Sequence, residues 1–352
     1  MIKKGGIKKM QSESIFCFGR PIIDITASIE EKFLREINID EESTGEIPMN
    51  KMELLLKQLS RRADYVFISA GGVECNVAIN SALLGIPSSL VGTIGDDYFH
   101  LIFKDSLGFI ERLDLSSMSV AVSNSAAIIV IQTMNENGER KKIKVFNYGV
   151  SEFLPWNTEI EVRLRKATMF FTSLFSANTS RTEPIWQKAV ETAKALGKKV
   201  IINLGGIDTI PKERLSRIIG IISTRGDIIF SNEMESNFLR QKYDQDIVST
   251  FSEVEFLIVT KEAKGCSIFC KGNETLIRIP SGKIPRPDEQ IFEIGAGDAF
   301  CASYIFAILA GASPKQAGNF ATRVSLIKIR YPESHLTRDN VNDIAMMIPI
   351  KS

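Results

Sequence analysis

The stretch FEIGAGDAFCASYIFAILA, residues 292–310, decides the fold. Gly295 and Gly297 flank an alanine, Asp298 follows directly, and a long apolar run comes next. The two glycines allow the backbone to turn tightly and to approach a ligand. A helix that begins near Asp298 would direct free N–H groups and a partial positive charge to the same point. The pattern is typical of an anion site, and equally of a plain turn into a buried helix with Asp298 as its N-cap.

An aspartate at such a turn also suits proton transfer. A carboxylate beside an anion site can accept a proton from a hydroxyl group. Phosphoryl transfer to an alcohol needs both features close together. A dinucleotide-binding loop is less consistent with this stretch, because the pattern is GxGxxF and the third glycine is missing.

Length, charge and cysteine usage limit the class of protein. The 352 residues suit one large domain, and acids and bases are mixed to a formal net charge of +1. We therefore expect no nucleic-acid partner, and the short basic start, residues 1–11, to be a disordered tail. No signal-peptide core and no apolar run of roughly 18 residues occurs, so we expect no membrane partner. The five cysteines, an odd number without a CxxC pair, indicate free thiols and a cytoplasmic protein.

Several enzyme classes are excluded by what the sequence lacks. Two histidines give little material for histidine-based zinc sites or Ser-His-Asp triads. No GxSxG elbow, no GxxxxGK[ST] loop and no HRD or DFG motif occurs. A nicotinamide-dependent dehydrogenase would need an early strand-GxGxxG-helix unit, whereas the first strand here leads to the lone Gly19.

The order of elements predicts an α/β protein. Amphipathic helices alternate with buried strands along most of the chain, which indicates a parallel sheet covered on both faces. Two segments, residues 24–50 and 123–148, resemble hairpins instead, with a turn at Asn137-Gly138. We therefore predict an α/β core from residues 12–23, 51–122 and 149–350, and a small β lid from residues 24–50 and 123–148.

A second glycine motif lies in SAGGVECNVAINSALLG, residues 69–85. Gly71 and Gly72 precede a predicted helix on which Asn76 and Asn80, four residues apart, share a face. These amides could bind hydroxyl groups or simply be solvated. Asp24, in PIIDITASI, is likewise either an acceptor for a substrate hydroxyl or an outward-facing strand residue.

A third motif, SNEMES, follows a predicted strand at residues 231–236. Asn232 and Glu235 would lie at the carboxyl end of that strand, where α/β sheets bind ligands. Their oxygen atoms suit a hydrated Mg²⁺ near phosphates. A capping box at the start of the next helix is the alternative interpretation.

In this order, the four motifs resemble the PfkB or ribokinase family of carbohydrate and purine nucleoside kinases. The resemblance runs from about Phe18 to about Arg330 and rests on AGGVECNVAINSALLG…LVGTIGDDYF and on GAGDAF. It implies a ribokinase-like, doubly wound and mostly parallel sheet flanked by helices, with a small β-sheet lid. NENGERKKIKVFNYG and FGRPIIDITASI are most similar to the adenosine-kinase-like branch.

The resemblance implies a role for each matching residue. It implies that Asp298 is the general base in ATP-dependent transfer of the γ-phosphate to a primary hydroxyl of a small-molecule sugar or nucleoside. It also implies Mg²⁺, a monovalent cation and a homodimer formed through the lids. The implied contacts are an anion hole at Gly295, Ala296 and Gly297; substrate binding by Asp24, Gly71, Gly72 and Asn76; nucleotide binding by Asn232, Thr260, Gly265 and Asn319; and Mg²⁺ held through water by Glu235 and Asn232.

Three departures from the family pattern accompany these matches. Phe292-Glu293-Ile294 stands where the family usually has Asp-Thr and a small polar residue, Glu262 stands where glycine is frequent, and Arg20 stands where the branch has asparagine. Nucleotide affinity, monovalent-cation dependence and substrate identity are the properties that these changes affect. Arg20 suggests an anionic sugar as one substrate, because arginine pairs well with phosphate. The alternative function is a binding or regulatory protein on the same fold with weak or no kinase activity.

Overall fold

A computed structural model of the protein describes residues 13–36, 39, 44–134, 140–243, 246–272, 276–282 and 291–345. The predicted tail and the predicted turn at Asn137-Gly138 lie outside these residues. The strands of the described part are β1 (Ile15–Phe18), β2 (Ile22–Ser28), β3 (Gly45–Glu46), β4 (Tyr65–Gly71), β5 (Ser88–Val91), β6 (Thr93–Gly95), β7 (Leu113–Asp114), β8 (Ser119–Ala121), β9 (Ala127–Met134), β10 (Arg140–Asn147), β11 (Met169–Ser173), β12 (Lys199–Asn203), β13 (Ile228–Asn232), β14 (Phe256–Thr260), β15 (Cys266–Cys270) and β16 (Ile277–Ile279).

The α-helices alternate with most of these strands. In the described residues they are α1 (Glu31–Glu36), α2 (Met49–Arg62), α3 (Val73–Leu83), α4 (Tyr98–Leu107), α5 (Thr158–Lys166), α6 (Glu183–Ala195), α7 (Lys212–Arg225), α8 (Glu233–Tyr243), α9 (Ile247–Thr250), α10 (Ala296–Leu309), α11 (Pro314–Lys328) and α12 (Arg338–Ala345). None of them is long and apolar enough to cross a membrane. The last of them, α12, lies within the predicted core range of residues 149–350.

The larger sheet has nine strands in the order β16-β15-β14-β13-β12-β11-β1-β5-β7. The strands from β14 to β7 run parallel, and only β15 and β16, at one edge, are antiparallel. Since β1 is flanked by β5 on one side and β11 on the other, the strand order reverses at the centre of the sheet. Ligands of open α/β sheets bind at such a point, beyond the carboxyl ends of the strands.

Helices cover both faces of the larger sheet and explain its apolar strands. Every residue of β11 is buried, as expected for a strand that packs on both sides. One core contains α3, α10 and α11 residues, and a second core on the other face contains α5, α6 and α7 residues. Because α10 packs against both α3 and α11, it is apolar almost all round, as its sequence indicates.

The smaller sheet has the strand order β3-β10-β9-β2-β4. Its β2 follows β1 after three residues, so the chain passes directly from one sheet into the other. Residues 24–50 do not form a hairpin, since β2 and β3 are separated by β9 and β10. The strand β4 pairs antiparallel with β2, although the predicted boundaries placed it in the core. A strand that precedes a glycine pair and a helix has the pattern of a core βα unit, which explains the different assignment.

The doubly wound, mostly parallel sheet with flanking helices and a second, smaller sheet confirms the predicted fold class. The division into a core and a lid, with its boundaries, stays a prediction.

Candidate active site

The start of α10 is a tight turn that only glycine fits. Gly295 is the N-cap residue and has a φ of +72°, a conformation that favours glycine. A Cβ atom at this position would lie 1.5 Å from the carbonyl oxygen of Ser334. The helix therefore begins at Ala296, two residues before the predicted position. Asp298 is the third residue of its first turn rather than its N-cap.

The Asp298 carboxyl is buried at the positive end of α10. Its Oδ2 accepts a hydrogen bond from Asn76 Nδ2 at 2.8 Å, which joins α10 to α3. Burial raises the pKa of Asp298 to about 7, and the neighbouring carboxylates Asp24 and Glu74 act in the same direction, whereas the Asn76 amide opposes the shift. A carboxyl whose pKa lies near neutral pH is suited to accept a proton in a reaction.

Ser334 completes this buried network from the segment between α11 and α12. Its Oγ lies 2.9 Å from the Ala70 carbonyl and 3.2 Å from Asn76 Oδ1, either of which can accept its one proton, and it lies 3.2 Å from Ser69 Oγ. Neither serine is among the predicted site residues: Ser334 belongs to no motif, and Ser69, although it begins the second glycine motif, carries no signal of its own. The network fixes the Asn76 amide with its nitrogen directed to Asp298.

Asp24 lies beside the same network. It is buried in β2, and a Cβ atom at Gly71 would lie only 2.1 Å from Asp24 Oδ2, so the glycine makes room for this carboxylate. Burial raises the pKa of Asp24 to about 6, and hydrogen bonds from Ser334 and Asn76 oppose the shift. The structure thus brings together four predicted residues, Asp24, Gly71, Asn76 and Asp298, and Asp24 is not an outward-facing strand residue.

Gly72 and Asn80 have structural tasks in α3. Gly72 is the N-cap residue with a φ of +93°, and its carbonyl accepts the N–H of Asn76 at 2.8 Å. A Cβ atom there would lie 2.6 Å from the Arg20 carbonyl. Asn80 is fully buried and its Oδ1 accepts the N–H of Leu336 at 2.7 Å, so it is not a solvated residue.

Asn232 and Glu235 bind each other at the start of α8. The Asn232 N–H and Nδ2 donate to the Glu235 carboxylate at 2.9 and 2.8 Å, and the Glu235 N–H donates to Asn232 Oδ1 at 2.8 Å. Burial raises the pKa of Glu235 to about 7, and the Asp208 carboxylate adds to the shift. The capping interpretation is therefore realised. Among the described residues, no group of three His, Cys, Asp or Glu side chains could hold a metal directly.

The other residues predicted to bind nucleotide lie at the end of β14, just before β15 and on α11. Thr260 is the register partner of Asn232 on the neighbouring strand, and its Oγ1 donates to the Ser231 carbonyl at 3.3 Å. Gly265 has a φ of +88° and approaches the backbone of β16. Asn319 is exposed, and its amide donates to Lys315 O of its own helix at 2.9 Å.

Residues 292–294, which depart from the family pattern, contact other elements of the fold. Phe292 packs edge-on against the rings of Tyr65 and Phe67 in β4, and Glu293 pairs with Lys142 of β10. Lys328, which sequence analysis missed, donates to Phe292 O at 3.0 Å and also to Ile294 O. These contacts link the loop that enters α10 to the smaller sheet and to α11.

Arg20 and Glu262 differ in their surroundings. Arg20 is buried under the ring of Tyr148, and it donates to Ser151 Oγ, to the Phe175 carbonyl and, at 2.7 Å, to Asn178 Oδ1. Glu262 has a φ of +46°, a conformation in which glycine would be unstrained. The preference for glycine at that position thus has a conformational reason.

Comparison with known proteins places the chain in a family. A family model of pfkB family carbohydrate kinases matches residues 43–339. The chain is 25% identical over 275 residues to a nucleoside kinase of Methanothermobacter thermautotrophicus, an alignment that covers 78% of this chain and 81% of that protein. It is 27% identical over 244 residues to the probable fructokinase-7 of Arabidopsis thaliana, with 67% and 68% covered.

Solved structures share the fold. The adenosine kinase of Sinorhizobium meliloti superposes with a TM-score of 0.76 at 19% identity, covering 96% of this chain and all of that one (100%). The Arabidopsis thaliana ribokinase, complexed with ribose and ATP, gives a TM-score of 0.68 at 21% identity, with 95% and 98% covered. Together with the family model and the motifs at Gly71 and Gly295, these likenesses show that the chain belongs to the pfkB family of carbohydrate kinases, phosphotransferases that act on an alcohol group.

Proposed function

We propose that this chain transfers the γ-phosphate of ATP to a primary hydroxyl group of a sugar or nucleoside, with Asp298 as the general base. The observation that carries the proposal is the buried Asp298 carboxyl in the first turn of α10. Its pKa of about 7 allows it both to exist as a carboxylate and to hold a proton at neutral pH.

The proton step follows from the hydrogen bonds of Asp298. Because Asn76 holds Oδ2, Oδ1 is the oxygen that accepts the proton of the acceptor hydroxyl. The acceptor oxygen then forms a bond to the γ-phosphorus while the bond from that phosphorus to ADP breaks. Asp24, beside the same network, accepts a hydrogen bond from another hydroxyl of the acceptor and so orients it.

The turn at Gly295 supplies the anion hole. The first N–H groups of a helix have no partner within it, and they direct a partial positive charge toward the phosphate in transfer. The Ala296 N–H already donates to Glu293 O at 3.1 Å, so the N–H groups of Gly295 and Gly297 are the ones we assign to the phosphate. This arrangement stabilises charge that develops on the phosphate oxygens.

Mg²⁺ fits the donor set of Asn232 and Glu235 only through water. Carboxylate and amide oxygens suit this ion, and both side chains are already bonded to each other. When bound, Mg²⁺ neutralises charge on the phosphates. Thr260, Gly265 and Asn319 remain our candidates for nucleotide contacts, and a homodimer through the smaller sheets remains a prediction.

A ligand screen followed by turnover tests the proposal. Unfolding temperature is measured with nucleosides, pentoses, hexoses and sugar phosphates, each with MgATP, and ADP release is measured with every compound that stabilises the protein. We expect one acceptor class to stabilise the protein and to drive ADP release. The sugar phosphates test whether Arg20 selects an anionic acceptor, although its guanidinium already has three neutral acceptors.

The alternative function is distinguished by the same screen. A binding or regulatory protein would be stabilised by ATP or an acceptor and would release no ADP with any compound. That result would contradict the proposal.

A further inference from the structure

Lys328 is a buried lysine whose hydrogen bonds go to carbonyl groups rather than to a carboxylate. It is the last residue of α11 and is fully buried. Its Nζ donates to Phe292 O at 3.0 Å and to Ile294 O. A buried ammonium group is costly unless it is compensated, so these two carbonyls are what hold it in place.

The same ammonium acts on both buried acids. Burial lowers the pKa of Lys328 to about 8, and the carboxylates Asp24, Asp298 and Glu333 oppose this shift. Conversely, Lys328 opposes the upward shift in the pKa of Asp24 and of Asp298. A positive charge is therefore bound to the loop that enters α10 and acts on the candidate catalytic carboxyl.

The monovalent cation implied by the family resemblance does not fit this loop. Main-chain carbonyls are the natural ligands for such an ion, and the carbonyls of Phe292 and Ile294 are taken by the lysine. The side chains of these two residues carry no oxygen, and the Glu293 carboxylate is paired with Lys142 instead. The Lys328 ammonium therefore binds the carbonyl oxygens that a monovalent ion would need.

We propose that the Lys328 ammonium is a built-in cation that positions the loop ahead of the anion hole, so that turnover requires no added monovalent cation. The inference rests on the function proposed above. It makes Lys328 a positioning residue, since it acts through the loop and through Asp298.

The effect on the loop follows from the position of the two carbonyls. They lie on either side of Glu293, whose own carbonyl accepts the Ala296 N–H at the turn. Holding residues 292 and 294 therefore fixes the peptide units that lead into Gly295. Without the ammonium, one buried and one partly buried carbonyl lose their partner and the turn loses its support.

The first test uses the wild-type protein. Initial rates of ADP formation are measured in potassium, sodium and tetramethylammonium chloride at equal ionic strength, which keeps general screening constant. We expect kcat to agree within about threefold in the three salts, since specific cation binding is the only difference left. A larger activation by potassium would overturn the inference.

The second test removes the ammonium. In tetramethylammonium chloride we expect Lys328→Ala to lower kcat about ten- to a hundredfold, less than the roughly hundred- to thousandfold loss for removing a direct anion-hole donor, because Lys328 acts through the loop. Potassium or methylammonium ions should restore part of this loss. The pH at which kcat falls should also move upward, because a charge that favours ionised Asp298 is gone. Lys315→Ala, at an exposed position of the same helix, is the matched control and should resemble the wild type.

The remaining outcomes are also decisive. Full activity of Lys328→Ala in tetramethylammonium chloride would overturn the inference. If that variant does not fold, the wild-type salt comparison decides alone. If the wild type turns over no acceptor, the proposed function fails, and unfolding temperatures still test Lys328. Equal unfolding temperatures in potassium and tetramethylammonium chloride support the built-in cation, and a rise in unfolding temperature specific to potassium contradicts it.

Discussion

In the segment that enters α10, residues 295–298 depend on backbone geometry, whereas residues 292–294 depend on contacts with other elements. Gly295 turns the chain in a left-handed conformation, and Asp298 follows in the first turn of the helix. Phe292 and Glu293 contact the smaller sheet, and the carbonyls of residues 292 and 294 bind Lys328. The turn thus follows from the backbone conformation of Gly295, whereas the loop ahead of it is held by side chains of β4, β10 and α11.

Asp298→Asn removes the proposed general base while it leaves the contacts of residues 292–294 in place, and it has the largest expected effect. We expect kcat to fall about a hundred- to ten-thousandfold, because the amide cannot accept the proton. At about pH 8 the variant should unfold at or above the wild-type temperature, since the cost of ionising a buried carboxyl is removed. Asp105→Asn, exposed on α4, is the control. A kcat equal to that of the wild type would rule out Asp298 as the base.

Gly295→Ala tests the contribution of the backbone turn at residue 295. The variant should lose more than about 3 kcal/mol of unfolding free energy, because left-handed strain adds to the collision with Ser334 O. Gly311→Ala is a matched control, since Gly311 has a φ of +83° and open space where a Cβ atom would lie. Urea unfolding of both variants separates the two contributions. Equal losses would show that strain alone makes residue 295 a glycine.

Phe292→Ala tests the contribution of side-chain packing ahead of the turn. We expect a loss of about 3 kcal/mol, because a buried ring that packs on Tyr65 and Phe67 is removed. Phe109→Ala, at a residue that is 77% exposed, should change the stability little. Urea unfolding measures both variants. If Phe292→Ala were no more destabilising than Phe109→Ala, the ring would not fix the loop.

Glu293→Gln has the smallest expected effect. The pair with Lys142 is partly exposed on both sides, so its removal should cost less than about 1 kcal/mol and the difference should shrink in high salt. Thermal unfolding at two salt concentrations checks this. A larger, salt-independent loss would mean that the pair, rather than Lys328, fixes the loop.

The sequence predicted the turn at residues 295–298 better than the contacts that hold residues 292–294. Glycine spacing and an apolar run are local signals, so the turn at Gly295 and the buried α10 were recognisable. The Asn76 amide that binds Asp298 comes from a helix 222 residues away along the chain, and only the family resemblance related the two. Residue spacing carries no information on that contact.

Two supporting residues left no signal. Lys328 is the last residue of α11, where the neighbouring residues suggest a solvated helix end. Ser334 follows that helix, where the neighbouring residues suggest a loop. Burial gives them their roles, and burial depends on how α11 packs. The pairing of β4 with β2 left no signal for a similar reason, because local alternation does not reveal whether a strand pairs with β1 or with β2.

The pH dependence of kcat is the most direct test of Asp298 as the general base. Burial raises the pKa of Asp298 to about 7, so the fraction in the carboxylate form falls as the pH drops below that value. We expect kcat for ADP formation to fall about tenfold per pH unit well below about pH 7, and to decline above about pH 8, where Lys328 loses its proton. In Asp298→Asn the residual rate should lack the fall below about pH 7. A wild-type kcat that stays constant from about pH 5.5 to about pH 8.5 would contradict a base with this pKa.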